Sequence, residues 1–220
     1  AYRCGPLGAW PCVPSPRWHR GLYMAGWPVN MAACHLLLLG EPMANTLGYH
    51  LVKSTYGQWL PGDGRGSWSA AWDDQIGFYE PHHLHPGDPV RQRMAAERMR
   101  HPAVRLGDDA LRVVADTIAE CAAESTWLVA ACSIEPTHLH LQLTYSGRDI
   151  YATAKWLAQK ITRAVHERPA HEGPVWCRGR WIGFIYDRAT WGNTRRYIER
   201  HNERRGLGPR PHPFIIVPPM

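Results

Sequence analysis

Two histidines two residues apart, His138 and His140, sit in the segment THLHLQL. If that segment is a strand, alternation sends both imidazoles to one face, within reach of a single ion. Imidazole is a common ligand for divalent metals. Tyr197 and His201, in RRYIERHNERR, are four residues apart. On a helix that spacing puts them one turn apart on the same face, which suits a tyrosine nucleophile beside a metal ligand. Each motif also has a plainer reading. An H-x-H strand can carry two surface or hydrogen-bonded histidines, and Tyr197 can pack with Ile198 while His201 is solvated. A second copy, His83-Leu84-His85, is surrounded by Pro81, Pro86 and Gly87. No regular strand holds that pair on one face, and a loop role is expected for it.

The elements around these motifs are legible as periods. YHLVKSTY, residues 49 to 56, is rich in aromatic and β-branched residues and predicts a strand ended by Gly57 and the WLPGDGRG turn cluster. Residues 61 to 107 are dominated by Gly, Pro, His and Trp and predict an irregular insertion, with a short helix around 90 to 99. Asp108 is positioned as the N-cap of a helix to about Ala123, with Leu111, Val114, Ala115, Ile118 and Ala122 inward. Trp127 to Ile134 is an apolar run of strand length, broken by Pro136 and Thr137. In the next strand Leu139, Leu141 and Leu143 alternate with His138, His140 and Gln142, predicting one core face and one polar face.

Residues 149 to 167 predict a second amphipathic helix, with Ile150, Ala154, Leu157, Ile161 and Val165 inward. Val175 to Tyr186 predict one or two strands interrupted near Gly179. A third helix is expected over about Ala189 to Arg205, stopped by Gly206. The order strand, helix, strand, strand, helix, strand, helix predicts an α+β fold: a ferredoxin-like or RRM-like split β-α-β antiparallel sheet with helices on one face.

The chain has 220 residues and a formal net charge of +6, enough length for one core and a balance suited to a polyanionic partner. The excess is local. Residues 148 to 210 hold 14 Lys/Arg against 6 Asp/Glu, whereas residues 1 to 147 hold 11 against 13. A phosphate-binding surface is therefore expected in the C-terminal third. The six cysteines form no C-x-x-C pair, so neither a zinc ribbon nor a disulfide framework is predicted. Cys121 and Cys132 lie in apolar runs and are expected to be buried reduced thiols, which favours a cytoplasmic setting. No apolar run reaches the roughly 18 to 20 residues of a membrane span. Residues 1 to 42 hold six prolines, three tryptophans and four charged residues without any period. They are expected to be a non-domain extension, with Met43 as a candidate native start, residues 43–210 as the domain and 211–220 as a tail.

Taken together, THLHLQL and RRYIERHN resemble the single-tyrosine HUH transposases, of the insertion-sequence and REP-associated kind, in which U is a bulky apolar residue. STYGQWLPGDGRGSW and VWCRGRW extend the resemblance over about Tyr49 to Arg205. It implies metal ligation by His138 and His140, a nucleophilic Tyr197, and His201 as third ligand, with Asn202 as the alternative. Glu135-Pro136-Thr137 stands where relatives commonly carry a proline-aspartate or proline-asparagine lead-in. The implied cofactor is Mg²⁺ or Mn²⁺. The implied partner is single-stranded DNA, as hairpin or repeat ends, in a bacterial, nucleoid-associated setting, with a homodimer left open. The implied reaction joins Tyr197 to a 5′-phosphate and frees a 3′-hydroxyl that can later reverse the link.

Lys155, Arg163, Arg178, Arg180, Arg195 and Arg196 are candidate DNA contacts, and Trp156 or Trp181 is available to stack on an unpaired base. Tyr145 and Tyr186, at strand ends, are expected to be packing residues. Two other functions remain open: a non-catalytic single-strand-binding module of RRM-like fold, and a metal-dependent nuclease that uses water.

Overall fold

Among the described residues the periods in the sequence become eight elements: β1 (Gly48–Ser54), α1 (Pro89–Glu97), α2 (Asp108–Ala123), β2 (Val129–Ile134), β3 (His138–Thr144), α3 (Ile150–His166), β4 (Trp181–Ile185) and α4 (Arg188–Arg204). The structure, a computed structural model, describes residues 46–67, 85–167 and 172–219. The extension over residues 1 to 42, the candidate start at Met43, and His83 with Leu84 lie outside the described residues. His85 pairs its backbone with Ser67 in an isolated antiparallel bridge.

The strands form one sheet in the order β2-β3-β1-β4, every neighbouring pair antiparallel. This is the α+β split β-α-β plan expected from the element order. On one face Leu139, Leu141 and Leu143 share their side with Lys53, Leu51 and Tyr49 of β1. Val114 and Ile118 of α2 and Leu157 and Ile161 of α3 complete that core, each at most 1 % exposed. Burying a side chain of this size stabilises the fold by roughly 1.5 to 3 kcal/mol.

The other face of the sheet differs from expectation. It is not an open polar surface, because Gln142 is 0 % and His140 4 % exposed. Among the described helices α2 and α3 pack on the leucine face, and α4 closes the histidine face. Trp191 of α4 packs with Ala130 and Ile185, and the Gln142 amide donates to the Trp191 carbonyl at 3.0 Å. The cause is the stripe Trp191, Thr194, Ile198 and Asn202 on α4, all buried, which needs a second surface once the leucine face is full. Gly48 permits the approach: a Cβ there would lie 2.1 Å from the Leu143 carbonyl oxygen and 2.5 Å from the Trp191 ring.

Three boundaries change as well. The N-cap of α2 is Gly107, not Asp108; Asp108 and Asp109 occupy the first turn, where carboxylates favour the positive end of the helix dipole. The insertion ends in order, with Val104 N bonded to Tyr56 O and Leu106 N to Pro136 O, both at 2.8 Å. The expected tail is docked: Ile216 N donates to Val129 O at 2.8 Å, and Phe214 and Ile215 pack on the core. Among the described residues no helix is long and apolar enough to cross a membrane. Cys121 and Cys132 are free and buried, and burial raises the thiol pKa of each.

Candidate functional site

The tight β2–β3 connection, closed by Glu135 N bonding to His138 O at 2.8 Å, delivers His138 at the start of β3 and His140 one pleat further. Register places Ser54 opposite His138, Val52 opposite His140 and His50 opposite Gln142. This whole row faces α4. The helix spacing read from the sequence then brings His201 over the pair, its ring 5.6 Å from that of His138 and 4.6 Å from that of His140. One ligand atom from each of the three histidines lies within 4.8 Å of the others.

The donor set and its surroundings fit a divalent ion. Burial lowers the pKa of His138 and holds that of His140 well below its usual value, so both are neutral and can offer lone pairs at pH 7. His201 Nε2 is buried without a hydrogen-bond partner, an arrangement that costs free energy unless something else takes the lone pair. Each imidazole has one ring nitrogen held. Thr137 Oγ1 lies 3.0 Å from His138 Nδ1, His50 Nε2 lies 3.0 Å from His140 Nδ1, and His201 Nδ1 hydrogen-bonds Glu135 Oε1. Such outer partners orient ligands and set their tautomers. Glu135, within the unusual lead-in, therefore acts on the third histidine. Its carboxyl pKa is lowered: burial raises it, but the His201 hydrogen bond and the nearby His138, His201 and Arg205 outweigh that.

Tyr197 stands beside the triad, its ring 4.8 Å from that of His201, 5.5 Å from His140 and 6.0 Å from His50. It is half-buried on α4, and burial raises its phenol pKa above 10, with Arg204 opposing the shift. The Asn202 amide nitrogen donates to Cys132 O at 2.9 Å and Pro209 O at 3.0 Å, while its Oδ1 is buried without a hydrogen-bond partner. His201 is the α4 residue whose ring lies beside those of His138 and His140.

The six candidate DNA contacts divide between two surfaces. Lys155 and Arg163 of α3 line an open groove of about 870 Å³ with Arg178, Arg180 and Lys53. Lys53 shares the leucine side of the sheet, so this groove lies on the side away from Tyr197. Arg195 and Arg196 are on α4; Arg195 pairs with Glu199 at 3.7 Å and Arg196 bonds Asn193. The two tryptophans also separate. Trp156 lies under Lys160 on α3. Trp181, on the edge strand, covers Gly183, where a Cβ would meet its ring at 2.6 Å, and its ring lies 4.9 Å from that of His50. Tyr145 and Tyr186, expected to be packed, are 49 % and 44 % exposed.

Sequence reading missed His50 and the roles of Glu135 and Thr137. His50 precedes an apolar pair in β1 with no partner at ligand spacing. Only strand pairing brings it against His140, so pairing register was the missing signal.

No protein-family model matches the sequence, and no curated protein matches it. Among solved structures, the chain is similar to a candidate transposase from Deinococcus radiodurans R1, with a TM-score of 0.40, 15 % identity, and coverage of 74 % of this chain and 96 % of that one. It is also similar to a REP-associated tyrosine transposase bound to a REP hairpin, with a TM-score of 0.45, 11 % identity, and coverage of 76 % of this chain and 73 % of the other. Likeness at this level leaves function to be decided by the side chains of the site.

Proposed function

We propose that the chain is a metal-dependent, single-tyrosine HUH-type transposase that cleaves and rejoins single-stranded DNA through Tyr197. The observation that carries this reading is the convergence of Tyr197 with three histidines from β3 and α4, one of them with a buried, unpartnered Nε2. His138, His140 and His201 would hold the ion, which when bound would polarise the scissile phosphate and offset charge on its oxygens. An all-imidazole donor set favours Mn²⁺ or another transition metal over Mg²⁺.

The reaction is a transesterification. The Tyr197 hydroxyl oxygen forms a bond to phosphorus as its proton leaves to solvent. The bond from phosphorus to the 3′-oxygen breaks, and that oxygen takes up a proton as a free 3′-hydroxyl. The phosphodiester count is unchanged, so the reverse attack needs no nucleotide cofactor. With a phenol pKa raised above 10, Tyr197 is a weak nucleophile at pH 7 until a positive neighbour stabilises its oxyanion. Arg204 is the cation on its own helix whose field acts that way.

The groove bearing Lys155, Arg163, Arg178 and Arg180 suits backbone phosphates. Arg180 lies over the Tyr151 ring at 5.2 Å on the α3 side, and its neighbour Trp181 turns to the histidine side. A strand following this path rounds the β4 edge and can stack an unpaired base on Trp181.

The test is incubation with labelled single-stranded hairpin DNA and Mn²⁺ followed by denaturing electrophoresis. A denaturant-resistant protein–DNA adduct is expected from the natural sequence and none from Tyr197→Phe. An adduct that persists in Tyr197→Phe refutes the assignment. Cleavage without adduct in both proteins points to a water-using nuclease, and binding without cleavage to a single-strand-binding module. A REP-type hairpin is the first substrate to try.

A further inference from the structure

His50 is a polar residue buried within the histidine face, 8 % exposed in the second-from-edge strand. Its neighbours are all parts of the proposed site: His140 at a ring distance of 5.3 Å, Trp181 at 4.9 Å and Tyr197 at 6.0 Å. Gly183 and Gln142 flank it in register. An apolar side chain would fill such a space without the cost of desolvating an imidazole. What the imidazole supplies is one hydrogen bond, His50 Nε2 to His140 Nδ1 at 3.0 Å. A hydrogen bond between two ring nitrogens at this distance carries a single proton, held by one ring or the other.

A pair of this kind has two arrangements, and they differ in consequence. If His140 Nδ1–H donates to His50 Nε2, His140 carries no proton on Nε2, and that lone pair is available to an ion. If His50 Nε2–H donates instead, His140 must hold its proton on Nε2 and is blocked as a ligand through that atom. The first arrangement resembles the partner that fixes His201 on the opposite side of the triad, where Glu135 takes the Nδ1–H.

We infer that His50 is a positioning residue of the metal centre: its Nε2 accepts the Nδ1–H of His140, which fixes the ring and leaves His140 Nε2 for the ion. This inference rests on the metal-centre reading above. It assigns to β1 a share in a site whose other members come from β3 and α4. His50 makes no bond to ion or DNA in this role.

The experiment is Mn²⁺ titration by calorimetry of the full chain as the natural sequence, His50→Phe and His50→Gln, with the thermal midpoint of each metal-free protein recorded. His50→Phe keeps a ring but has no acceptor, whereas His50→Gln restores an acceptor at about the same reach. We expect Mn²⁺ affinity to fall about 10- to 100-fold in His50→Phe and to recover for the most part in His50→Gln. Equal affinity in all three overturns the role of His50, while no Mn²⁺ binding by the natural sequence overturns the metal centre itself. Should His50→Phe fail to fold, ¹⁵N imidazole spectra of the natural sequence with Mg²⁺ decide. A protonated Nδ1 on His140 with an unprotonated Nε2 on His50 supports the inference, and the reverse pair overturns it.

Discussion

Glu135 holds His201 as His50 holds His140, but with a charge. A carboxylate on the Nδ1–H of a ligating imidazole raises the basicity of its far nitrogen and fixes its orientation. Here that nitrogen is the unpartnered Nε2. Glu135→Ala removes the acceptor and is expected to weaken Mn²⁺ binding by about one order of magnitude or more, while leaving Tyr197 in place. Calorimetry of that variant checks the effect, and unchanged affinity would show that the carboxylate does not serve the ion. At this scale type and spacing in the sequence singled out Tyr197, His138, His140 and His201, and the structure places the four side chains together. The sequence could not identify Glu135, because a carboxylate 66 positions away from its histidine has no local signature.

Helix α4 carries both the proposed nucleophile, Tyr197, and the third histidine, so its placement governs the candidate site. Its first turn is fixed by Asp187, whose side chain accepts from Thr190 N at 2.8 Å and from the Thr190 hydroxyl at 2.7 Å. These bonds lower the carboxyl pKa. Asp187→Ala should destabilise the protein by about 1 kcal/mol through the lost cap, seen as a fall of about 2 to 4 °C in the thermal midpoint. A midpoint unchanged within error would mean that Trp191 alone anchors the helix start. The helix itself was legible from its stop at Gly206 and from the four-residue spacing of Tyr197 and His201. The sheet face it covers was not, since an amphipathic period says that a stripe is buried and nothing about what buries it.

The C-terminal residues close the β2 edge of the sheet, and His212 among them predicts a pH response. His212 stacks on Phe214 at 5.1 Å, and its pKa is lowered by burial first and by Arg205 second, with Asp116 opposing. The docked segment therefore favours neutral His212. A released segment binds its proton already below about pH 6.5, so docking is fully stable above that value and weakens as pH falls through the window below it. Amide exchange at Ile216, corrected for the intrinsic rate, should be faster at pH 5 than at pH 7.5, and His212→Phe should remove the difference. Equal protection at the two pH values would contradict this account.

By itself the sequence determined the alternation that builds the sheet, the helix periods, the basic C-terminal third and the chemical types at the site, because each depends on near neighbours in the chain. Tertiary structure alone decided three things. It put α4 over the histidine face, it divided the basic side chains between a groove on one side of the sheet and a helix on the other, and it set His50 against His140. Strand register and the choice of packing partner are global properties of the chain, settled only when every apolar stripe has found a surface.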